Sequence, residues 1–239
     1  MSKTKFRANR KVVFVMGPPG SGKGTQAELI ADKFDFFHFD TGRVLEGIWH
    51  DPKRQKDPIV RRERVLFDTG KLNTPSVVLK MMKEKIKELA EIGESLVFSG
   101  SPRTFFEAFG DSKNTGLIET LEKLYGKKNI TVLLLKVDSK KAIARNVGRM
   151  ICSVCGMQLL SVLKVKQTRC PFCGGELRKR TLDKPEVMVV RLQEFANRTE
   201  PILKELKKRK FIIHGINANV LPYEVFEKIK SVINDSFKK

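Results

Sequence analysis
This 239-residue sequence predicts an α/β fold, a parallel sheet with helices on both faces. Three observations point there. An apolar run, residues 12–16 (VVFVM), enters a glycine loop, residues 17–25 (GPPGSGKGT), which enters a helical pattern at Gln26. Apolar runs recur at 36–39, 96–99, 130–137 and 211–213. Several are uninterrupted, as strands buried on both faces require. Helix-start signals fall between the runs, so strands and helices alternate around one sheet.

Taken in order, the first strand feeds the loop. Gly17, four intervening residues and then Gly22-Lys23 fit the phosphate-binding pattern. Glycines let backbone N–H groups converge on one anion, and the helix N-terminus adds partial positive charge. Gly24 stands where that pattern has a hydroxyl, and Thr25 follows it. The strand at 36–39 comes next. Asp57-Pro58 and Thr74-Pro75 each read as a cap with proline at the first helical position. Strands at 96–99 and 130–137 follow. Asp183-Lys-Pro-Glu186 opens a helix expected to run to about Lys208. The basic run 207–210 (KKRK) is its solvated end, before a last strand at 211–213.

The hydrophobic fraction, 41%, is enough for a core, and no stretch approaches a membrane span. The basic N-terminus lacks a signal-peptide apolar region, so the expected location is cytoplasmic. The net charge is +20, from 47 Lys+Arg against 27 Asp+Glu. Anionic partners follow; a generally basic surface, with weak nucleic-acid binding, accounts for the excess over nucleotides.

Cys152-x-x-Cys155 and Cys170-x-x-Cys173 use all four cysteines, with fourteen residues between the pairs. That is close to four-thiolate zinc spacing, and a closed site of four cysteines is structural. Iron in the same ligands is the alternative metal, and disulfides are disfavoured in a reducing compartment.

These motifs together resemble an adenylate kinase of the zinc-lid type, from about Val12 to Ile229. The loop GPPGSGKGTQA is similar to the family's almost residue for residue, including Gly24-Thr25. Asp40-Thr41-Gly42 and the segment GKLNTP at 70–75 resemble the ends of the monophosphate-binding region. Gly100-Ser-Pro-Arg103-Thr104 resembles the DGFPRT segment, and Arg145 and Arg149 the RxxGR helix. Arg180 and Arg191 resemble the arginines of the lid's return and of the helix after it.

The resemblance implies a P-loop kinase fold. Its core would be 1–40, 73–149 and 183–239, with a monophosphate-binding helical insert at 41–72 and a zinc lid at 150–182. It implies a monomeric nucleoside monophosphate kinase, first of all ATP + AMP to two ADP, with Mg²⁺ and a structural Zn²⁺. ATP would lie on Gly17, Pro18, Gly20, Ser21, Gly22, Lys23, Gly24, Thr25 and Arg145. The acceptor would lie on Thr41, Gly42, Arg43, Gly100, Arg103 and Glu107; Thr41 favours adenine there. Lys23, Arg103, Arg149, Arg180 and Arg191 would be catalytic, and Cys152, Cys155, Cys170 and Cys173 would hold the metal. Phosphoryl transfer is positioning plus electrostatics, so fixed cations suit it.

Departures from the family pattern gather on the acceptor side. Arg43 and Ser99 replace aspartates, Glu46 an arginine, Ser101 a phenylalanine, Glu107 a glutamine and Leu182 an acid. Arg43 and Glu46, three apart, are expected to pair on one helix face. At Glu107 two readings stay open: a capping box with Thr104, or a carboxylate facing the acceptor base, where guanine's donors suit it. A kinase for another monophosphate is therefore an alternative, as is a non-catalytic ATP- or RNA-binding protein. His38 and His214, at strand ends, are expected to be structural.

Overall fold
The computed structural model describes residues 10–159, 168–179 and 181–237. Five strands form one parallel sheet: β1 (Val12–Met16), β2 (Phe37–Phe39), β3 (Leu96–Phe98), β4 (Ile130–Lys136) and β8 (Ile213–Asn217). Their order is β2-β3-β1-β4-β8. Val12 pairs with both Leu96 and Ile130, which puts β1 at the centre. Alternation along β1 fills two cores. Val12, Phe14 and Met16 face α4 (Pro75–Glu91), α6 (Leu117–Tyr125) and α9 (Glu200–Lys208), through residues such as Met82, Leu121 and Ile202. Val13 and Val15 face α1 (Lys23–Phe34) and α10 (Pro222–Phe237), where Ile30, Ile229 and Ile233 are fully buried.

Two excursions leave this core. Helices α2 (Thr41–Trp49) and α3 (Pro58–Asp68) form one. A three-stranded antiparallel sheet forms the other, from β5 (Met150–Cys152), β6 (Gln158–Leu159) and β7 (Leu177–Lys179). The remaining helices are α5 (Phe105–Phe109), α7 (Ser139–Val147) and α8 (Pro185–Glu194).

The sequence expectations for β1 to β4 hold to within a residue at each end. The last strand does not: it begins at Ile213, where it was expected to end. Phe211 is occupied in closing α9. Its N–H donates to Leu206 O (2.9 Å) and that of Lys210 to Lys207 O (2.9 Å), with Lys210 at φ 61°. That is a Schellman ending, with Phe211 buried as its apolar partner. The helix expected from 183 to 208 begins at Pro185 and widens into a π turn at Phe195–Thr199. Pro201, with no N–H and a ring that crowds the preceding turn, accounts for the widening. Thr74 precedes α4 as expected, but its hydroxyl does not cap the helix; it donates to Glu63 Oε1 (2.5 Å).

Candidate nucleotide-binding cleft
The main cleft opens where a parallel sheet binds ligands, beyond the carboxyl ends of its strands. Residues following β1 (Gly17), β2 (Asp40), β3 (Ser99) and β8 (Ala218) all line it. The loop after β1 has φ values of 82° at Gly20 and 90° at Gly22, which side chains rarely adopt. A side chain at Gly20 would also collide with Ala142 O. Gly22 precedes α1 without a side-chain cap, so the helix's first N–H groups stay open to an anion. Of the predicted loop residues, all but Pro18 line the cleft; Pro18 instead accepts from Lys23 Nζ (2.8 Å) and Ser21 N (3.1 Å).

Cations converge on this loop. Lys23 Nζ also donates to Gly17 O (2.7 Å). Burial, then the nearby Arg103, Arg191 and Arg149, push its pKa well below the usual lysine value. An anion placed among these four groups would relieve that repulsion. Asp183 anchors two of them. Arg149 grips it with Nε to Oδ2 (3.0 Å) and Nη2 to Oδ1 (2.7 Å), the two-pronged arrangement a guanidinium favours. Arg191 Nη1 lies 3.5 Å from Asp183 Oδ1 and donates to Leu182 O (2.9 Å). Gln158, on β6, accepts from Arg149 Nη1 (3.1 Å) and reaches over Gly24, so the small sheet covers the loop. Arg145 donates to Ala218 O (2.7 Å) and Val220 O (3.0 Å), forming one end of the cleft. Arg180 lies outside the described residues.

A second recess shares Arg103 and Arg191 with the cleft and extends toward Thr41, Leu45, Phe67 and Val78. Arg103 is fixed from both sides: its Nε donates to Gly100 O (2.6 Å), and its carbonyl accepts from Thr199 Oγ1 (2.7 Å). Gly42 and Gly100 flank its guanidinium. Glu107 lines the recess and caps α5 as well. Its N–H donates to Thr104 Oγ1 (3.2 Å), and its carboxylate accepts from Thr104 Oγ1 (3.1 Å) and Arg103 N (2.8 Å).

Two expectations on α2 are corrected. Arg43 does not reach the recess: it is half-exposed, and its guanidinium pairs with Glu28 (3.1 Å) and Asp40 (3.6 Å). Asp40 caps α2 and lies nearer than Glu46, so it takes Arg43. Glu46 faces Arg178 on β7 instead, at 3.8 Å. His38 Nε2 lies 2.7 Å from Ser99 Oγ and supports the end of β3.

At the tip of the small sheet the four cysteine Sγ atoms lie within 4.8 Å of one another. Cys152 and Cys173 are 3.5 Å apart, Cys155 and Cys170 3.7 Å. Sulfurs around tetrahedral Zn²⁺, at about 2.3 Å each, sit roughly 3.8 Å apart, so the group fits. N–H groups of Cys155 and Val154 approach Cys152 Sγ and hold its thiol down, to about 6. Sequence reasoning missed Asp183 as an arginine anchor, reading it only as a helix opener. Its signal was its isolation, as the one acid in the basic stretch 177–185 (LRKRTLDKP).

A central-strand phosphate loop facing arginines from three other elements defines a P-loop protein of the nucleoside monophosphate kinase class. The adenylate kinase family model matches residues 15–211. The chain is 29% identical over 223 residues to an adenylate kinase of Clostridium tetani, covering 92% of this chain and 97% of that one. It is 30% identical over 231 residues to an adenylate kinase of a Thermoanaerobacter species, covering 95% and 99%. To an adenylate kinase of Methanothrix thermoacetophila it is 29% identical over 227 residues, covering 93% and 98%. The chain belongs to the adenylate kinase family.

Proposed function
We propose that this protein is a cytoplasmic adenylate kinase, transferring the γ-phosphoryl group of ATP to AMP to give two ADP. The observation that carries this reading is the convergence of Lys23, Arg103, Arg149 and Arg191 beside the phosphate loop. The γ-phosphorus exchanges its bond to the ADP oxygen for one to the AMP phosphate, and charge spreads over its equatorial oxygens. Loop N–H groups hold the donor phosphates, and Arg145 forms a wall of the donor base site. Lys23 swings from the Gly17 and Pro18 carbonyls onto the β/γ-phosphates. Arg103 holds the acceptor phosphate, and Arg149 and Arg191, set by Asp183, flank the migrating group. Thr41, Gly42, Gly100 and Glu107 form the acceptor side; Arg180 joins as the lid's arginine.

Residues 41–72 act as the monophosphate-binding insert and 150–182 as the lid. The lid excludes water, which would otherwise divert the reaction to ATP hydrolysis. Cys152, Cys155, Cys170 and Cys173 would hold Zn²⁺, which would supply a rigid tip. Mg²⁺ entering with ATP would supply neutralisation of the phosphate charge. Asp40 and Glu194 are the carboxylates among the described residues that line the cleft, and Ser99 offers only a hydroxyl, so the protein would offer Mg²⁺ few ligands of its own.

A coupled assay of ADP production from ATP and AMP tests the reading. Lys23→Ala is expected to lower kcat by about 10²–10³-fold or more without changing the melting temperature appreciably. Near-parental transfer by that variant overturns the assignment.

A further inference from the structure
We infer that the acceptor recess also takes guanosine monophosphate, with Glu107 reading the base edge, so that the protein phosphorylates GMP in addition to AMP. The inference rests on the acceptor reading above, and on a buried carboxylate that lines the same recess as Arg103. Leu45, Phe67, Leu72 and Val78 give the recess apolar walls suited to a flat ring, and Arg103 stands at its phosphate side.

Glu107 lies in the same recess with only 2% of its surface exposed. The side chain is rigid, because each oxygen accepts one hydrogen bond from its own helix entry. An ionised carboxylate has about four lone-pair sites and no proton to give. Two are used by Arg103 N and Thr104 Oγ1, which leaves acceptor capacity for a ligand. Burial pushes the Glu107 pKa up, while those hydrogen bonds and the charges of Arg103 and Arg198 oppose the rise.

The two purines present different edges to such a group. Guanine offers two adjacent donors, N1–H and an N2 hydrogen. Adenine offers one N6 hydrogen beside the N1 lone pair, which an ionised carboxylate repels. The buried Thr41 Oγ1, with no partner among the described residues, also lines the recess. A hydroxyl can donate to guanine O6 or accept from adenine N6. The two polar groups can therefore pair with either base edge, and Glu107 shifts the balance toward guanine.

The test compares AMP, GMP and inosine monophosphate as acceptors, with isothermal titration of each and steady-state transfer from ATP. IMP keeps N1–H and lacks the 2-amino group. GMP is expected to be phosphorylated, and to bind about tenfold or more tighter than IMP, the worth of one hydrogen bond to a charged group. Glu107→Gln keeps an acceptor for Arg103 N and a donor for Thr104 Oγ1, so it should fold with a near-parental melting temperature. It is expected to lower the GMP/AMP ratio of kcat/KM about tenfold or more. Transfer to AMP but not GMP, equal binding of GMP and IMP, or an unchanged ratio in the variant would each overturn the inference and leave the adenylate kinase reading standing. Transfer to no monophosphate would sink that reading and this inference with it.

Discussion
The two excursions that flank the cleft are built on opposite principles. The helical insert borrows the main core: Leu45, Trp49, Val60 and Phe67 belong to the same cluster as Phe14 and Phe98 of the sheet. The lid has a cluster of its own, Cys152, Leu159, Cys170 and Leu177 with Met150 packed against it. Among its described residues, Val154 and Phe172 are 73% and 70% exposed. That is a small core among the described residues, and a metal on the four cysteines would supplement it. The insert has a polar tie where the lid has four clustered cysteines. Glu63, fully buried on α3, accepts from Thr74 N (2.8 Å), Thr74 Oγ1 (2.5 Å) and Asn73 Nδ2 (3.0 Å). Asn73 in turn accepts from Trp49 Nε1 (3.2 Å), so one carboxylate joins α2, α3 and the start of α4. Two parts that flank one cleft should therefore fail under different conditions.

Metal removal should show the largest difference. The protein is expected to carry about one Zn²⁺ per chain by elemental analysis. A chelator, or Cys152→Ser, should abolish most transfer by releasing the lid, and with it Gln158 and the setting of Arg149. Trp49, the single tryptophan, sits in the insert and reports on it independently. Its emission should be unchanged while activity falls; a shift in both would show that the excursions are one cooperative unit.

Acid should act on the other side. Burial alone would raise the Glu63 pKa, but its hydrogen bonds to Thr74, Asn73 and Arg62 outweigh burial and hold it below the usual value. A depressed folded pKa stabilises the fold above the unfolded pKa, and that contribution is lost as pH falls through the folded one. Trp49 emission should thus change in acid, at pH below about 4.3, before the sheet melts. Glu63→Gln forces an amide donor against groups that also donate, costing about 1–3 kcal/mol. It should raise KM for the monophosphate and leave ATP affinity near parental. An insert in Glu63→Gln as acid-sensitive as the parent's would remove Glu63 from this role.

The smallest effect is expected where the two parts meet. Glu46 and Arg178 lie 3.8 Å apart, with Arg178 half-exposed. A pair of this kind contributes about 1 kcal/mol or less. Glu46→Ala should change kcat and both KM values by less than about fivefold. A larger loss, suppressed by high salt, would make the ion pair a latch rather than a passing contact.

Legibility followed sequence distance. The strand, glycine loop and helix around Lys23 were readable because neighbours in sequence are neighbours in space. The cysteine pairs were readable because turn geometry fixes each Cys-x-x-Cys, and the packing of the core strands because burial on both faces demands unbroken apolar runs. β8 was misplaced because Phe211, apolar like a strand residue, serves the helix before it. His214 and Gly215 also break the apolar run inside the strand itself.

The sequence by itself placed β1 to β4, the phosphate loop and the two cysteine pairs, and it singled out Arg103, Arg145, Arg149 and Arg191 as candidates. Tertiary structure alone decided how those charges are satisfied. Asp183 serves Arg149 from thirty-four residues away, Asp40 and Glu28 take Arg43 from Glu46, and Glu63 gathers the donors of Asn73 and Thr74. Propensity and spacing act over a few residues. An ion pair or buried hydrogen bond instead forms with whichever group the fold brings within about 3 Å, and that is fixed only when the distant segments pack.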